Sequence, residues 1–574
     1  MRSADDCRIA VFVDRCGGTL SHLIDEEMIQ YVSRLPQVVF CDQDENLSSP
    51  EGFEMLASRL TKGKADRAVI VGASPKAYEE SFRHLGVATG LNPYMFLVAN
   101  VREQVAWIIQ DDKRAREKAK AIIAKKVKEA SLLSPIGREK IGVPKEALVI
   151  GGGIVGIRAA LALADANIGV TLLTRAGDIG GKAIQLTHFY DRLDDVSSWF
   201  MKQIERAKKH PKIDVKTSVE LKGFEGYLGD YRVTIRGPLG KREVVKGSAV
   251  LLTSGYDVVS NTEGIFGHRC FISPSQMEAM LGDGGKSLMD EKGKPIKTVT
   301  FVLDLVNETI KIDSANAVKN ALLLKKDHDR MVYVVCRDIK VSLDGMERQY
   351  RKAREMGVIF IKYDDPPRFS LVNGGVNVQV KEVSTRVMGQ EYTVSILSDL
   401  VVMSEKFVPS KDNEMLATIL DVPLPQEGYL MDDNPQFTQV RANRRGIFLA
   451  GGCRYPQTLD EALVEAEAAA SGVTQLLSQG VYEYDLAVAE IDPAKCAACL
   501  TCPRVCPHSA IVVEQYAERN IYITAGYEGD FTWRAARVLP TQCYGCGICV
   551  SSCPTKAISL KHLTDAEISL QMEG

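Results

Sequence analysis

Two stretches near the end of the chain, CAACLTCPRVCPHSAI from Cys496 and CYGCGICVSSCPTKAI from Cys543, hold eight of its fourteen cysteines. They superpose at one offset. Cys543 follows Cys496, Cys553 follows Cys506 and Pro540 follows Pro493 by the same 47 residues. An internal repeat of this kind is a single structural unit used twice. Each unit reads C-x2-C-x2-C-x3-C-P, a spacing that wraps three thiolates around one iron–sulfur cube and sends the fourth cysteine, past its proline, to the other cube. The expected ligands are Cys496, Cys499, Cys502 and Cys553 for one [4Fe–4S] cluster, and Cys543, Cys546, Cys549 and Cys506 for the second. Structural zinc prefers two pairs of ligands around one tetrahedral ion, and three ligands packed this closely do not suit it. Disulfides need an oxidising compartment, whereas MRSADDCRIAVFVD lacks a charged segment leading into a long apolar run. A reducing cytoplasm is the expected setting.

The repeat therefore reads as a bacterial-type two-cluster ferredoxin module, and the 574-residue chain leaves room for several domains ahead of it. A hydrophobic share of 45%, a charged share of 25% and a net charge of −3 are ordinary for a soluble globular protein. They give no reason to expect nucleic acid or an anionic membrane as partner. No apolar run reaches the length of a bilayer crossing. In residues 1–108 the short apolar runs RIAVFV, QVVFCD, RAVIVGA and YMFLVAN alternate with helix-like segments, which predicts a small α/β domain with a parallel sheet. Residues 109–143, rich in Ala, Lys and Glu, predict an exposed linking helix.

A nucleotide site is expected next. The strand ending at Ile150 runs into Gly151-x-Gly153-x-x-Gly156, then a helix opened by Ile154 and Val155, then a strand at Val170 to Leu173. Gly151 permits the turn, Gly153 lets backbone approach a pyrophosphate, and Gly156 lets the helix pack on the sheet with its positive end toward phosphate. The carboxylate that holds adenosine ribose is expected near position 174, where the chain has Thr174-Arg175. By itself that pair suggests a 2′-phosphate and hence NADP. Other features favour FAD. DIGGKAIQ, with Gly180, Gly181, Lys182 and Gln185, looks like the turn that flavoproteins place beside the ribityl chain. RRGIFLAGGCRYPQTLDEALVEAEAAASGV, with Gly451 and Gly452, resembles the strand, turn and helix that close a flavin site. Its helix, from about Leu459, would aim a positive end at the ring's O2 and N1. Gly255 joins the candidate set. A second nucleotide-fold-like unit begins with KTVTFVLDLV, but the following NETIKIDSAN has no glycine, so backbone cannot approach a pyrophosphate and nicotinamide binding is not expected there. The expected domains are 1–108, the linker 109–143, FAD-binding halves 144–265 and 399–480, an inserted domain 266–398 and the ferredoxin domain 481–574.

In this order the pieces resemble the HdrA-like family, the flavin-bearing core component of heterodisulfide reductase and of related anaerobic electron-transfer complexes. The resemblance is carried by LNPYMFLVANVREQ, GGGIVGIRAALALADA, VYVVCRDIK, YRKAREMGVIFIKYDD, GIFLAGG and the paired cysteine motifs. It implies an α/β, two-dinucleotide-binding-type (Rossmann-like) flavoprotein holding FAD and two [4Fe–4S] clusters. Such an oxidoreductase relays electrons between a donor module and a catalytic partner, in some members by flavin-based bifurcation. The implied partners are heterodisulfide reductase B/C-like subunits or a hydrogenase-, formate dehydrogenase- or quinone-linked module, with a homodimer allowed for. The chain departs from the family where further cluster cysteines are expected. It has Asp14 beside Cys16, Ser48, Ala73, Val105 and Ser314, and THFYDRLDDVSSWF contains no cysteine. The additional clusters are therefore not expected. Cys7, Cys16, Cys41, Cys270, Cys336 and Cys453 read as small buried hydrophobes, Cys453 being the one beside the flavin turn. No closely spaced pair outside the repeat could reduce a disulfide, so the chain is not expected to do so alone. Two alternatives stay open: an NADPH-dependent flavoprotein feeding its own clusters, and a flavin-free iron–sulfur scaffold.

Overall fold

The computed structural model describes residues 7–72, 74–190, 193–260, 263–282, 288–289, 293–305, 310–326, 330–372, 374–383, 392–524 and 527–572. Ala73 and residues 306–309, which open the glycine-free loop of the inserted unit, lie outside them. The chain divides into two compact units, residues 141–482 forming one and residues 1–140 with 483–574 the other.

In the latter, strands β1 (Ile9–Asp14), β2 (Val38–Asp44), β3 (Arg67–Val71) and β4 (Phe96–Ala99) form a parallel sheet of order β2-β1-β3-β4. Ile9 to Val13 are all buried, as expected for a strand covered on both faces. Helices α1 (Glu26–Ser33), α2 (Pro50–Gly63) and α3 (Pro75–Thr89) supply connections. The expected exposed linker is a helix, α4 (Asp112–Leu132), but it is not free of the domain. Ala115, Ala119, Ile123, Val127 and Ala130 are buried in one cluster with Ile9, Val11 and Val69. Small residues four apart make a stripe that lets the helix sit close to the sheet, while Lys113, Lys118 and Lys128 face outward.

Residues 141–482 begin with β5 (Glu146–Ile150), α5 (Ile154–Asp165), β6 (Gly169–Leu173), β7 (Ile213–Lys216) and β8 (Ala249–Leu252). The chain then leaves to build a second sheet from β9 (Phe271–Ile272), β10 (Thr298–Val302), β11 (Met331–Cys336), β12 (Ile359–Lys362) and β13 (Leu400–Met403), with helices α6 (Pro274–Met280) and α7 (Lys311–Lys325). It returns through β14 (Ile447–Leu449) to α8 (Leu459–Leu477). The first sheet has the order β14-β8-β5-β6-β7 and the second β9-β13-β10-β11-β12, every pairing parallel. Thus β13, which falls within the expected returning flavin half, belongs to the inserted sheet. Its parallel pairing with β9 on one side and β10 on the other assigns it there. The fold class is the expected one: doubled dinucleotide-type α/β sheets, a small parallel domain and a cysteine-rich tail.

The tail comprises β15 (Ala489–Ile491), a long hairpin of β16 (Ile511–Thr524) and β17 (Tyr527–Val538) between the two cysteine stretches, β18 (Ile558–Leu560) and α9 (Asp565–Met572). It packs on the N-terminal domain of the same unit. Tyr94 donates to Asp485 Oδ2 at 2.8 Å, Lys125 Nζ to the Gln571 carbonyl at 2.6 Å, and the His562 ring lies 2.6 Å from the Ser134 carbonyl. No described helix is long and apolar enough to cross a membrane.

Candidate functional site

At the end of β5 the chain turns through Gly151, at φ +124°, and enters α5 with Gly153 as its N-cap. A Cβ on Gly151 would stand 2.3 Å from the Thr253 carbonyl oxygen, and one on Gly156 only 1.9 Å from that of Gly151. Packing alone demands both glycines. Gly153 is different: its φ is −72° and a Cβ there would meet nothing within 4 Å. Its lack of a side chain becomes useful only when something approaches from outside. No side chain caps α5, so the first-turn N–H donors and the positive helix end are left for an anion.

These residues line a cavity of about 860 Å³ within the 141–482 unit. Of the expected set, Gly151, Gly153, Ile154, Val155, Thr174, Arg175, Gly181, Lys182, Gln185, Gly255 and Gly452 are on its wall. Gly156, Gly180 and Gly451 stand behind it. Gly180 adopts φ +131° against Ile184, and Gly451 adopts φ +76° against Val155 while donating its N–H to Glu465 Oε2 at 2.9 Å. Arg454 bridges Glu465 and Asp432, all three buried or nearly so, which fixes the 451–453 turn to α8. Lys182 ties the other turn to the strand Tyr256–Val259, donating to the Tyr256 carbonyl and to Asp257 Oδ1 at 2.6 Å each. That ammonium holds the Asp257 carboxyl below its ordinary range.

Thr174 is buried against Gly152, and its Oγ accepts from the Ala176 N–H at 3.3 Å. The hydroxyl proton remains for donation. The carboxylates lining this end are already engaged: Asp178 by Lys208, Glu220 by Lys222 and Arg236, and Asp412 by Arg175. Arg175 is thus paired rather than waiting for a phosphate.

At the far end, α8 begins with a capping box of Thr458 and Glu461. Gln457, just before it, is 4% exposed and lines the cavity, and among the described residues both its amide atoms lack a hydrogen-bond partner. A buried amide left unpaired is costly unless a ligand completes it. The motifs of the sequence do not single out Gln457, although its place one residue ahead of a helix cap at a glycine-turn site is a usable signal. Nor do they mark Glu278 and Lys319, which touch each other across the cavity wall, Lys319 being 2% exposed. Thr187 donates to Glu278 from both N–H and hydroxyl. Burial pulls the Lys319 ammonium down, and the carboxylate in contact opposes that pull.

Cys453 is fully buried, with its thiol against the carbonyls of Ala450 at 3.3 Å and Leu252 at 3.5 Å. Burial pushes it up to about 12, so it is an inert core thiol. Cys7, Cys270 and Cys336 are buried as well, while Cys16 and Cys41 are half-buried. Ser314, at a place where the resembling family has cysteine, accepts from the Lys340 N–H at 3.1 Å.

In the tail, Cys496, Cys499, Cys502 and Cys553 line one hollow together with Pro503 and Pro554. Burial raises Cys502 to about 11, with Cys496, Cys499 and Cys553 near enough to add to the shift. Burial likewise raises Cys549 to about 11, with Cys543, Cys506 and Cys546 adding to it. Cys496, Cys499, Cys502 and Cys553 thus share one hollow, and Cys543, Cys506 and Cys546 lie within electrostatic reach of Cys549. Among the described residues no three side chains converge as ligands of a single ion. Backbone N–H groups meet sulfur, one repeat apart for Ala510 on Cys506 and Ala557 on Cys553 at 3.3 Å, and from unrelated donors for Ala536 on Cys496 and Gly545 on Cys543 at 3.4 Å. Such bonds tune cluster potential. The left-handed residues also recur one repeat apart, Ala498 with Gly545, Leu500 with Gly547 and Ser509 with Lys556.

Residues 495–558 match the 4Fe-4S dicluster domain family. Over nearly its whole length the chain is similar to an iron-sulfur A-subunit of the CoB–CoM heterodisulfide reductase of Methanopyrus kandleri, at 25% identity covering 88% of this chain and 91% of the relative. The corresponding iron-sulfur protein from Methanocaldococcus jannaschii is 25% identical over 90% of this chain and 92% of its own. The A-subunit of the ferredoxin/F(420)H(2)-dependent CoB-CoM heterodisulfide reductase of Methanosarcina acetivorans is 26% identical over 88% and 75%. Among solved structures, T. acidophilum thioredoxin reductase aligns with 58% of this chain and 98% of its own, at 16% identity and a TM-score of 0.39.

Proposed function

We propose that this HdrA-like oxidoreductase holds FAD in the 141–482 cavity and two [4Fe–4S] clusters in its tail. Within an electron-transfer complex it would pass charge between a donor module and a catalytic partner. The observation that carries the FAD reading is Gly153, a glycine that neither backbone angle nor packing explains, beside an uncapped helix. The amide of Gln457, unpaired among the described residues, lines the same cavity.

Bound there, FAD would supply the exchange between two-electron and one-electron chemistry. The chain's own residues supply binding and orientation. The N–H groups at Gly153, Ile154 and Val155 would face the pyrophosphate. Thr174 would donate its hydroxyl to the ribose, a neutral bond worth about 1 kcal/mol less than a charge-assisted one. Gly181, Lys182 and Gln185 would flank the ribityl chain, with Gly255, Gly452, Gln457 and the positive end of α8 at the ring. Gly156, Gly180 and Gly451 would act from behind by holding those turns.

For the tail we assign Cys496, Cys499, Cys502 and Cys553 to one cluster and Cys506, Cys543, Cys546 and Cys549 to the other. Donor and acceptor would be protein subunits in a reducing compartment, of the heterodisulfide reductase B/C, hydrogenase, formate dehydrogenase or quinone-linked kind. Flavin-based bifurcation is the finest form of the reading. A titration in which the flavin shows a well-separated one-electron stage would remove it.

Anaerobic purification tests the core. About one FAD and about eight irons per chain are expected. Absence of flavin, or bleaching of it by NADPH alone, would overturn the reading in favour of a scaffold or of an NADPH-dependent enzyme.

A further inference from the structure

The inserted sheet brings to the cavity an acid that no cation among the described residues balances. Asp313 sits in the first turn of α7, is 6% exposed and lines the cavity. Among the described residues its one hydrogen bond is a long one, accepted by Oδ2 from the Ile310 N–H at 3.3 Å. Among the described residues it has no ion-pair partner. The neighbouring buried charges are settled otherwise: Lys319 touches Glu278, and Lys311 touches Glu461.

What faces Asp313 makes its carboxylate less welcome still. Glu405 enters from beside the strand Lys406–Pro409 and Asp304 from the end of β10, and both push its proton affinity up. Tyr256, whose ring lies where a Cβ on Gly452 would go, feels the charges of Tyr429, Glu405 and Asp313. Lys311, two residues before Asp313, touches Glu461 in the first turn of α8, which sets this turn of α7 beside the Gln457 end of the cavity. A carboxyl buried without a cation keeps its proton toward neutrality, and burial raises this one to about 7. Glu405 is only half-buried, accepts from Ser260 at 2.7 Å and Ser275 at 2.8 Å, and shares the cavity wall.

We propose that Asp313 is the proton-exchanging residue of the flavin site, with Glu405 as its link to solvent. The inference rests on the FAD reading above. As two electrons from one-electron iron–sulfur donors reach the ring, the Asp313 O–H bond breaks and one ring N–H bond forms, leaving a carboxylate. When two electrons leave, that proton returns to the carboxylate. While the ring is reduced the carboxylate would take up a proton from water by way of Glu405, and it would give one back by that route before the ring proton returns.

The test is the pH dependence of the flavin's two-electron midpoint potential in anaerobic full-length protein, followed by absorbance from about pH 5 to about pH 9, the span around a shifted carboxyl. Reduction makes the ring more negative and raises the proton affinity of a nearby acid. By linkage, native protein should take up about one extra proton per electron pair in a window just above the Asp313 titration. In Asp313→Asn with native FAD content the window should vanish, and in Asp313→Glu it should reappear at a different pH. An unchanged profile in Asp313→Asn overturns the proposal. Should that variant release FAD, the native and Asp313→Glu profiles decide: no window in the first, or an unmoved window in the second, is equally fatal. Native protein lacking FAD would instead sink the reading on which the inference rests.

Discussion

Gly153 and Gly156 share one fingerprint, yet the structure separates their roles. A methyl on Gly156 would collide with the Gly151 carbonyl, whereas one on Gly153 would enter open space. Gly156→Ala is expected to lower unfolding stability by about 1–3 kcal/mol, the usual consequence of overpacking. Gly153→Ala should leave the urea midpoint of the flavin-free protein unchanged while FAD content falls. Equal loss of stability in both would show that Gly153 also is a packing residue. Gln457→Leu should weaken FAD roughly tenfold, as loss of about 1.4 kcal/mol from a buried amide implies; equilibrium dialysis of released flavin would measure it. Lys319→Met would strand the buried Glu278 charge and destabilise by about 3–5 kcal/mol, and adding Glu278→Leu should recover most of that. Additive losses in that double variant would mean that the two side chains act independently.

At the scale of elements, α4 shows how a lysine-rich segment can still be core. Its charges describe one face, and the stripe through Ala119, Ile123 and Val127 describes the other. Ile123→Ala is expected to cost about 2–5 kcal/mol in chemical denaturation; an exposed linker would lose almost nothing. The cysteine repeats make a second case. Both halves use left-handed residues at matching positions, with glycine in the second copy and Ala498 or Leu500 in the first. Leu500→Gly removes side-chain strain from such a position and should stabilise the tail by up to about 1 kcal/mol. Gly545→Ala should destabilise it, because a Cβ there would lie 2.4 Å from the Ala487 carbonyl oxygen.

For the whole molecule, the crossed sharing of cysteines proposed for the tail would make it one object rather than two beads. Single replacements blur this, but pairs separate it. Cys499→Ser with Cys553→Ser strikes one predicted cluster and should leave about four irons per chain. Cys499→Ser with Cys506→Ser strikes both and should leave nearly none. Iron analysis reversing these outcomes would mean that each repeat binds its own cluster with its own four cysteines.

The repeat spacing, the glycine turn between strand and helix, and the return near Leu459 could all be read from the chain because each depends on neighbours close in sequence. Local chemistry there leaves few alternatives: thiol spacing limits the ligand sets, and a missing Cβ opens the turn. The meeting of Lys319 with Glu278, the isolation of Asp313, the pairing of Arg175 with Asp412 and the assignment of β13 to the inserted sheet join residues from about 40 to about 240 positions apart. No local pattern encodes those distances. They follow from which surfaces the packed sheets press together, and from the burial that results.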